Sequence, residues 1–71
     1  MGADLRGLRL EQAHLMVSEL LGAGVSKDEI ALACDLSWWT IFRWQRGERA
    51  PHPTHFARLE RFHSQRVAAT S

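Results

Sequence analysis

Aromatic rings and guanidinium groups alternate in one short stretch, residues 38–46, which reads WWTIFRWQR. All three tryptophans of the 71-residue chain lie here, together with Phe42, Arg43 and Arg46. Arginine pairs with phosphates and with the acceptor edge of guanine, and an apolar ring can contact the methyl group of thymine. The same residue types also form the hot spots of protein interfaces. The stretch therefore predicts a binding surface, either for nucleic acid or for another protein.

A helix through this stretch has two faces of different composition, at about 100° per residue. Ile41 and Trp44 fall together on one side, and we expect them in the core. Trp38 could instead pack against the preceding helix or a loop and contact no ligand. The same structural alternative exists for Trp39 and Phe42, but we favour it less. The opposite face carries Trp38, Trp39, Phe42, Arg43 and Arg46.

Four histidines and one cysteine raise the question of a metal or catalytic site. His52, His55 and His63 lack the paired spacing of zinc ligands, and Cys34 falls on a predicted core face. A bundle this small offers no enclosed pocket for a nucleophile and its base, and the sequence has no glycine-rich phosphate loop. We therefore expect no metal, no cofactor and no enzymatic activity.

Length and composition suit one small globular domain over residues 1–71, with 45% hydrophobic residues. A single cysteine fits a reducing compartment. No apolar run approaches the roughly 18 residues of a membrane span, and the N-terminal residues lack the apolar core of a secretory signal. We expect a cytoplasmic protein with no membrane partner.

Charge is divided unevenly along the chain, although the net charge is only +1. Residues 1–37 hold three basic and six acidic side chains, a net charge of −3, whereas residues 38–71 hold six arginines and two glutamates, a net charge of +4. This asymmetry predicts that the second half faces an anion such as nucleic acid. A solvated charged face is the alternative, and it is the one we favour for Arg58, Arg61 and Arg66 of the last helix.

The pattern of apolar residues and of Gly, Pro and Ser predicts an all-α fold of four helices, with a fifth left open. Ser26 begins a capping box with Glu29, and Ser37 caps the next helix. Gly47 ends that helix as a left-handed cap. The helices are expected at about residues 8–21, 27–34, 38–46 and 54–67, followed by a frayed tail at 68–71.

A pair of short helices joined by a three-residue turn and flanked by two others is the layout of a helix-turn-helix domain, here about residues 26–47. One ordered set of residues makes this layout more specific, and Phe56 and Leu59 continue it into the next helix. In sequence order, the set is Ser26, Lys27, Ile30, Ala31, Asp35, Leu36, Ser37, Thr40, Ile41, Trp44, Gln45, Gly47, Arg49 and Pro51.

These residues and their spacing resemble the helix-turn-helix of the phage-repressor and Cro family, also called the XRE-type. The match needs no gaps and covers about 35 residues. Three positions depart from the family pattern. Lys27 replaces a glutamine, Gln45 replaces a glutamate, and Asp35 stands where the family has a turn glycine. Aspartate tolerates a positive φ better than most residues, so we expect the turn to survive.

The resemblance implies a sequence-specific regulator of transcription, foremost a repressor of phage or plasmid type, in a bacterial cell or a phage-infected host. It would bind double-stranded DNA as a homodimer, with helix 38–46 in the major groove. The dimer would form through helix four and the tail, or through the apolar part of helix one. The implied base and groove contacts are Ser37, Trp38, Trp39, Phe42, Arg43 and Arg46; the phosphate contacts are Ser26, Lys27 and Arg49; the core residues are Ala31, Leu36, Ile41, Trp44, Phe56 and Leu59.

Two other functions remain open from the sequence. One is a protein-interaction module or antitoxin that binds its partner through Trp38, Trp39 and Phe42. The other is the DNA-targeting arm of a recombinase or transposase assembly. The family reads base edges by hydrogen bonds from the outer face of this helix, where large aromatic residues are unusual. This departure favours the protein-binding alternative.

Overall fold

The computed structural model describes the backbone of residues 5–70 and the side chains of residues 7–68. Four α-helices form the fold, α1 (Leu5–Gly22), α2 (Lys27–Cys34), α3 (Trp38–Gln45) and α4 (Pro53–Thr70). The predicted all-α, four-helix fold is confirmed. The first and last helices are longer than predicted, and α4 is helical through Thr70 where a frayed tail was expected from residue 68. Ser71 lies outside the described residues.

The first three helices end in the same way. Each is followed by a residue with positive φ, namely Gly24 (92°), Asp35 (59°) and Gly47 (71°). The next amide then donates to a carbonyl five residues back, which is the Schellman pattern and satisfies backbone groups that the helix leaves unpaired. These hydrogen bonds run from Val25 to Leu20 (3.0 Å), from Leu36 to Ala31 (2.9 Å) and from Glu48 to Arg43 (3.1 Å).

Side chains cap the beginnings of the last three helices. Ser26 Oγ accepts a hydrogen bond from the Glu29 amide (3.1 Å), and Ser37 Oγ accepts one from the Thr40 amide (3.3 Å). His52 Nδ1 accepts the Thr54 amide (3.2 Å) at the start of α4. Proline fits the first position of a helix because its nitrogen has no hydrogen to leave unpaired, which explains why α4 begins at Pro53.

The core lies where α1 packs against α3 and α4, and where α2 packs against the same two helices. Trp44 is the largest fully buried side chain, only 1% exposed. Among the expected core residues, Leu36 and Phe56 are half-buried against this core. The buried hydrophobic residues are Ala13, Met16, Val17, Leu20, Val25, Ile30, Ala31, Cys34, Ile41, Trp44 and Leu59.

Polar contacts hold α4 to α2. Arg58 Nη1 lies 3.4 Å from the carbonyl oxygen of Cys34 and 3.8 Å from a carboxylate oxygen of Asp35, at the C-terminal end of α2. Arg66 forms an ion pair with Glu29 of α2. Both arginines are exposed, as expected for a solvated face, and each in addition bridges to α2. In the part of the chain that the structure describes, no helix is both long and apolar enough to cross a membrane.

Candidate functional site

The exposed side of α3 carries three aromatic rings stacked on one another. The rings of Trp38 and Phe42 are nearly parallel, with centroids 5.3 Å apart and an interplanar angle of 8°. Trp39 stacks on Phe42 at 5.3 Å and on Trp38 at 6.1 Å. Trp38 is 41% exposed and Trp39 is 54% exposed, while Phe42 is half-buried. We call these three residues the aromatic triad.

Each ring of the aromatic triad has a cation beside it. The Lys27 ammonium lies 5.7 Å from the Trp38 ring centroid. The guanidinium carbon of Arg43 lies 5.8 Å from the Trp39 centroid, and that of Arg46 lies 5.5 Å from the Phe42 centroid. These distances allow cation–π attraction, which orients the cations while leaving their N–H groups able to donate. The sequence contains no acidic residue from Leu36 to Gly47, so this face combines apolar area with positive charge.

Packing of Trp38 into the core is excluded by its exposure. It contacts the preceding helix through Lys27, so the expected packing against α2 exists in this limited form. Trp39 and Phe42 likewise belong to the outer surface of α3, on the side away from the buried Ile41 and Trp44. The helix therefore has the two faces expected from the helical wheel, one buried and one on the surface.

Glu48 supplies a negative charge at one edge of this surface. Its carboxylate oxygen Oε2 lies 2.8 Å from Arg46 Nε, and both side chains are about half exposed. This pair holds the Arg46 guanidinium over Phe42 and offsets part of its charge. Of the two arginines expected to contact bases, Arg43 lacks such a carboxylate partner among the described residues, and Arg46 has one.

The serine hydroxyls proposed as DNA contacts already have structural partners. Ser26 and Ser37 each accept a backbone amide as helix caps, and Ser37 Oγ also lies 3.1 Å from Thr40 Oγ1. Capping therefore accounts for both residues without a ligand. Lys27 differs, because its ammonium stands beside Trp38 at the edge of the aromatic triad.

His14 holds the C-terminal end of α3 in place, a contact that sequence reasoning missed. Its Nδ1 lies 2.6 Å from the carbonyl oxygen of Gln45. A carbonyl oxygen only accepts, so Nδ1 carries the hydrogen. The residues are 31 positions apart, and a lone histidine in a helix gives no sequence signal of such a partner.

Arg49 lies beside a cleft between α3 and the turn before α4. The cleft has a volume of about 680 Å³ and opens next to Trp39 and Arg43. Arg9 of α1 also lines it, and sequence reasoning did not select this residue. The Nε atom of Arg9 is buried and has no hydrogen-bond partner among the described residues.

The remaining reactive groups offer little chemistry. Burial raises the pKa of the Cys34 thiol from 9.0 to about 11, against a smaller opposing effect of the Arg58 charge. The thiol therefore stays protonated at neutral pH and is a poor nucleophile or metal ligand. Within the described residues, no three side chains from His, Cys, Asp and Glu come together as a metal site.

Comparison of the chain with protein-family models, with curated proteins and with solved structures found no match.

Proposed function

We propose that the protein is a sequence-specific regulator of transcription that binds double-stranded DNA, foremost as a repressor. One observation carries this proposal: the outward face of α3 presents a stacked aromatic triad with a cation beside each ring and no acidic residue within the helix. Duplex DNA offers phosphates for the cations, guanine edges for arginine and thymine methyl groups for the rings.

In this proposal α3 enters the major groove, with Arg43 as the principal base contact. Arg43 suits the role because it stands over Trp39 without an opposing carboxylate among the described side chains. Arg46 contributes once its pair with Glu48 yields to a phosphate or base. Lys27 lies beside Trp38, and Arg49 lines the same cleft as Trp39; both would contact phosphates of the backbone.

A homodimer would contact two neighbouring half-sites on the same duplex, one with each copy of α3. A single domain of this size buries too little surface for tight specific binding alone. Leu8 and Leu15 of α1 are 47% and 53% exposed and stand seven residues apart, hence on one side of the helix. We place the dimer contact on this side of α1, and sedimentation of the chain with Leu15→Glu tests it: the unsubstituted chain sediments as a dimer and the variant as a monomer.

Selection of bound sequences from a random duplex pool tests the proposed function. We expect a common sequence bound with submicromolar affinity, falling steeply as salt rises because phosphate contacts release counterions. Arg43→Ala should weaken binding to the selected duplex by about tenfold or more and relax its sequence preference, as expected for loss of a guanine contact. Arg61→Ala, which removes an exposed arginine of α4, is the matched control and should change binding much less.

Protein binding is the second candidate, favoured by the exposure of Trp39 beside an arginine. It predicts that no duplex from the pool is preferred at low salt. Trp39→Ala would then abolish capture of a protein partner while leaving the helical content unchanged. A preferred duplex that depends on Arg43 excludes this candidate as the main function of the surface.

A further inference from the structure

The cleft between α3 and the turn before α4 concentrates positive charge. Three arginines line it from three parts of the chain: Arg9 from α1, Arg43 from α3 and Arg49 from the turn. Glu48 also lines the cleft, but its carboxylate is paired with Arg46 at 2.8 Å. The cleft is therefore cationic, although the chain as a whole is nearly neutral.

Arg9 lines the cleft and also has a donor without a partner in the described part of the chain. Its Nε is buried away from solvent and has no hydrogen-bond partner among the described residues. A buried N–H without a partner is costly, and more so when the group is charged, so such groups are rare in folded proteins. An anion that enters the cleft would be attracted by the charge of this side chain.

The beginning of α4 adds to the same attraction. Pro53 and His55 line the cleft at the N-terminus of this 18-residue helix, where the helix dipole is positive. His52 also lines the cleft, and its Nδ1 accepts the Thr54 amide. In the neutral ring the hydrogen must then be on Nε2, which leaves Nε2–H as a further donor.

We propose that this cleft is a binding site for a phosphate group, held by Arg9 and Arg49 and closed on one side by Arg43. The planar guanidinium group binds phosphate oxygens in a bidentate manner, which an isolated lysine cannot do. The volume of about 680 Å³ is large enough for a phosphate ester of nucleotide size and not only for a free ion. The phosphate would come either from a free phosphate ester or from the backbone of a bound duplex.

Titration of the full chain with inorganic phosphate, at ionic strength held constant with chloride, tests the site without any duplex. We expect saturable shifts of the backbone amide signals of Arg49 and His55 in NMR spectra. Arg49→Gln and Arg9→Gln should each weaken phosphate binding by about tenfold. Arg61→Gln removes the same charge from an exposed position on α4 and should leave the affinity unchanged. Shifts that do not saturate, or equal affinity in all variants, would overturn the proposal.

Arg49 is exposed, so Arg49→Gln keeps the test valid even if Arg9→Gln disturbs folding. A second arm distinguishes the two sources of phosphate. If the duplex backbone fills the cleft, Arg49→Gln lowers the slope of the salt dependence of duplex binding by about one. If a free ester fills it, Arg49→Gln leaves the slope of the salt dependence unchanged and weakens only the binding of inorganic phosphate. A chain that binds phosphate but no duplex refutes the proposed function and leaves this site standing.

Discussion

The imidazole Nδ1 of His14 donates to the carbonyl oxygen of Gln45 across 2.6 Å, joining the middle of α1 to the last residue of α3. Carbonyls at a helix C-terminus lack partners within the helix. His14 supplies one from outside and thereby sets where α3 ends relative to α1. The orientation of the aromatic triad thus depends on a helix that carries none of its residues.

Replacement of His14 should loosen this end of α3. We expect His14→Ala to lower the free energy of unfolding by about 1–2 kcal/mol, because a partly buried hydrogen bond is lost and its acceptor is left unpaired. Hydrogen exchange of the Arg46, Gly47 and Glu48 amides should accelerate more than that of α2 amides. Uniform acceleration across all helices would argue that His14 contributes to global stability and not to the position of α3.

Neutralising Glu48 should strengthen duplex binding. Glu48→Gln releases Arg46 from a carboxylate at 2.8 Å and removes a negative charge beside the proposed interface. An exposed pair of this kind is worth under about 1 kcal/mol, so we expect about a threefold gain in affinity at low salt. Fluorescence titration of the selected duplex measures it. Glu60→Gln, at an exposed position of α4, changes the net charge equally and should give a smaller gain.

Thymine methyl groups should contribute to binding if the aromatic triad faces the major groove. Replacement of contacted thymines by uracil removes only the methyl group, worth about 0.8 kcal/mol or fourfold in affinity per buried methyl. We expect this loss in the unsubstituted protein and expect it to vanish in Trp39→Ala. Equal sensitivity to uracil in both proteins would mean that another residue contacts the methyl groups.

Two tryptophans six residues apart should respond oppositely to truncation. Trp44→Ala creates a cavity in the core, with a cost of about 3–5 kcal/mol, which is comparable with the whole stability of a domain this small. We expect its circular dichroism spectrum at 25 °C to lose most helical signal. Trp38→Ala removes the same side chain from the exposed triad and should retain the helical spectrum. A folded Trp44→Ala protein would contradict the assigned core.

Stability should fall between pH 9 and pH 11. Burial raises the pKa of Cys34 from 9.0 to about 11, so the unfolded chain loses the thiol proton before the folded chain does. The stabilisation is fully present below pH 9 and is lost as pH rises towards 11, on the order of 2 kcal/mol in total. The chain has no tyrosine, whose phenol would titrate in the same range. Denaturant unfolding of Cys34→Ala should show a flatter pH dependence in this range.

Periodicity and capping rules predicted those structural features that depend on residues close together in the sequence. They assigned Ile41 and Trp44 to the core and Ser26 and Ser37 to helix beginnings. Each of these assignments rests on residues within about one helical turn, where backbone geometry limits the choices. The family resemblance added the expectation of a turn with positive φ at Asp35, where φ is 59°.

Contacts between distant residues were not predictable in the same way. His14 meets Gln45 across 31 positions, and Arg66 meets Glu29 across 37. An exposed arginine has the same sequence signature whether it is solvated or paired. Arg9 gave no signal at all, because its significance comes from a cleft that forms only when α1, α3 and the turn before α4 meet.

The cation beside each ring of the aromatic triad also has a consequence for contacts between two copies of the protein. An aromatic surface of this kind without charges beside it would favour self-association. Here two triads brought face to face would oppose Lys27, Arg43 and Arg46 with the same three charges of the other copy. Like charges repel, so the surface discriminates against itself. We therefore expect two copies of the protein not to associate through their aromatic triads, although the rings are apolar.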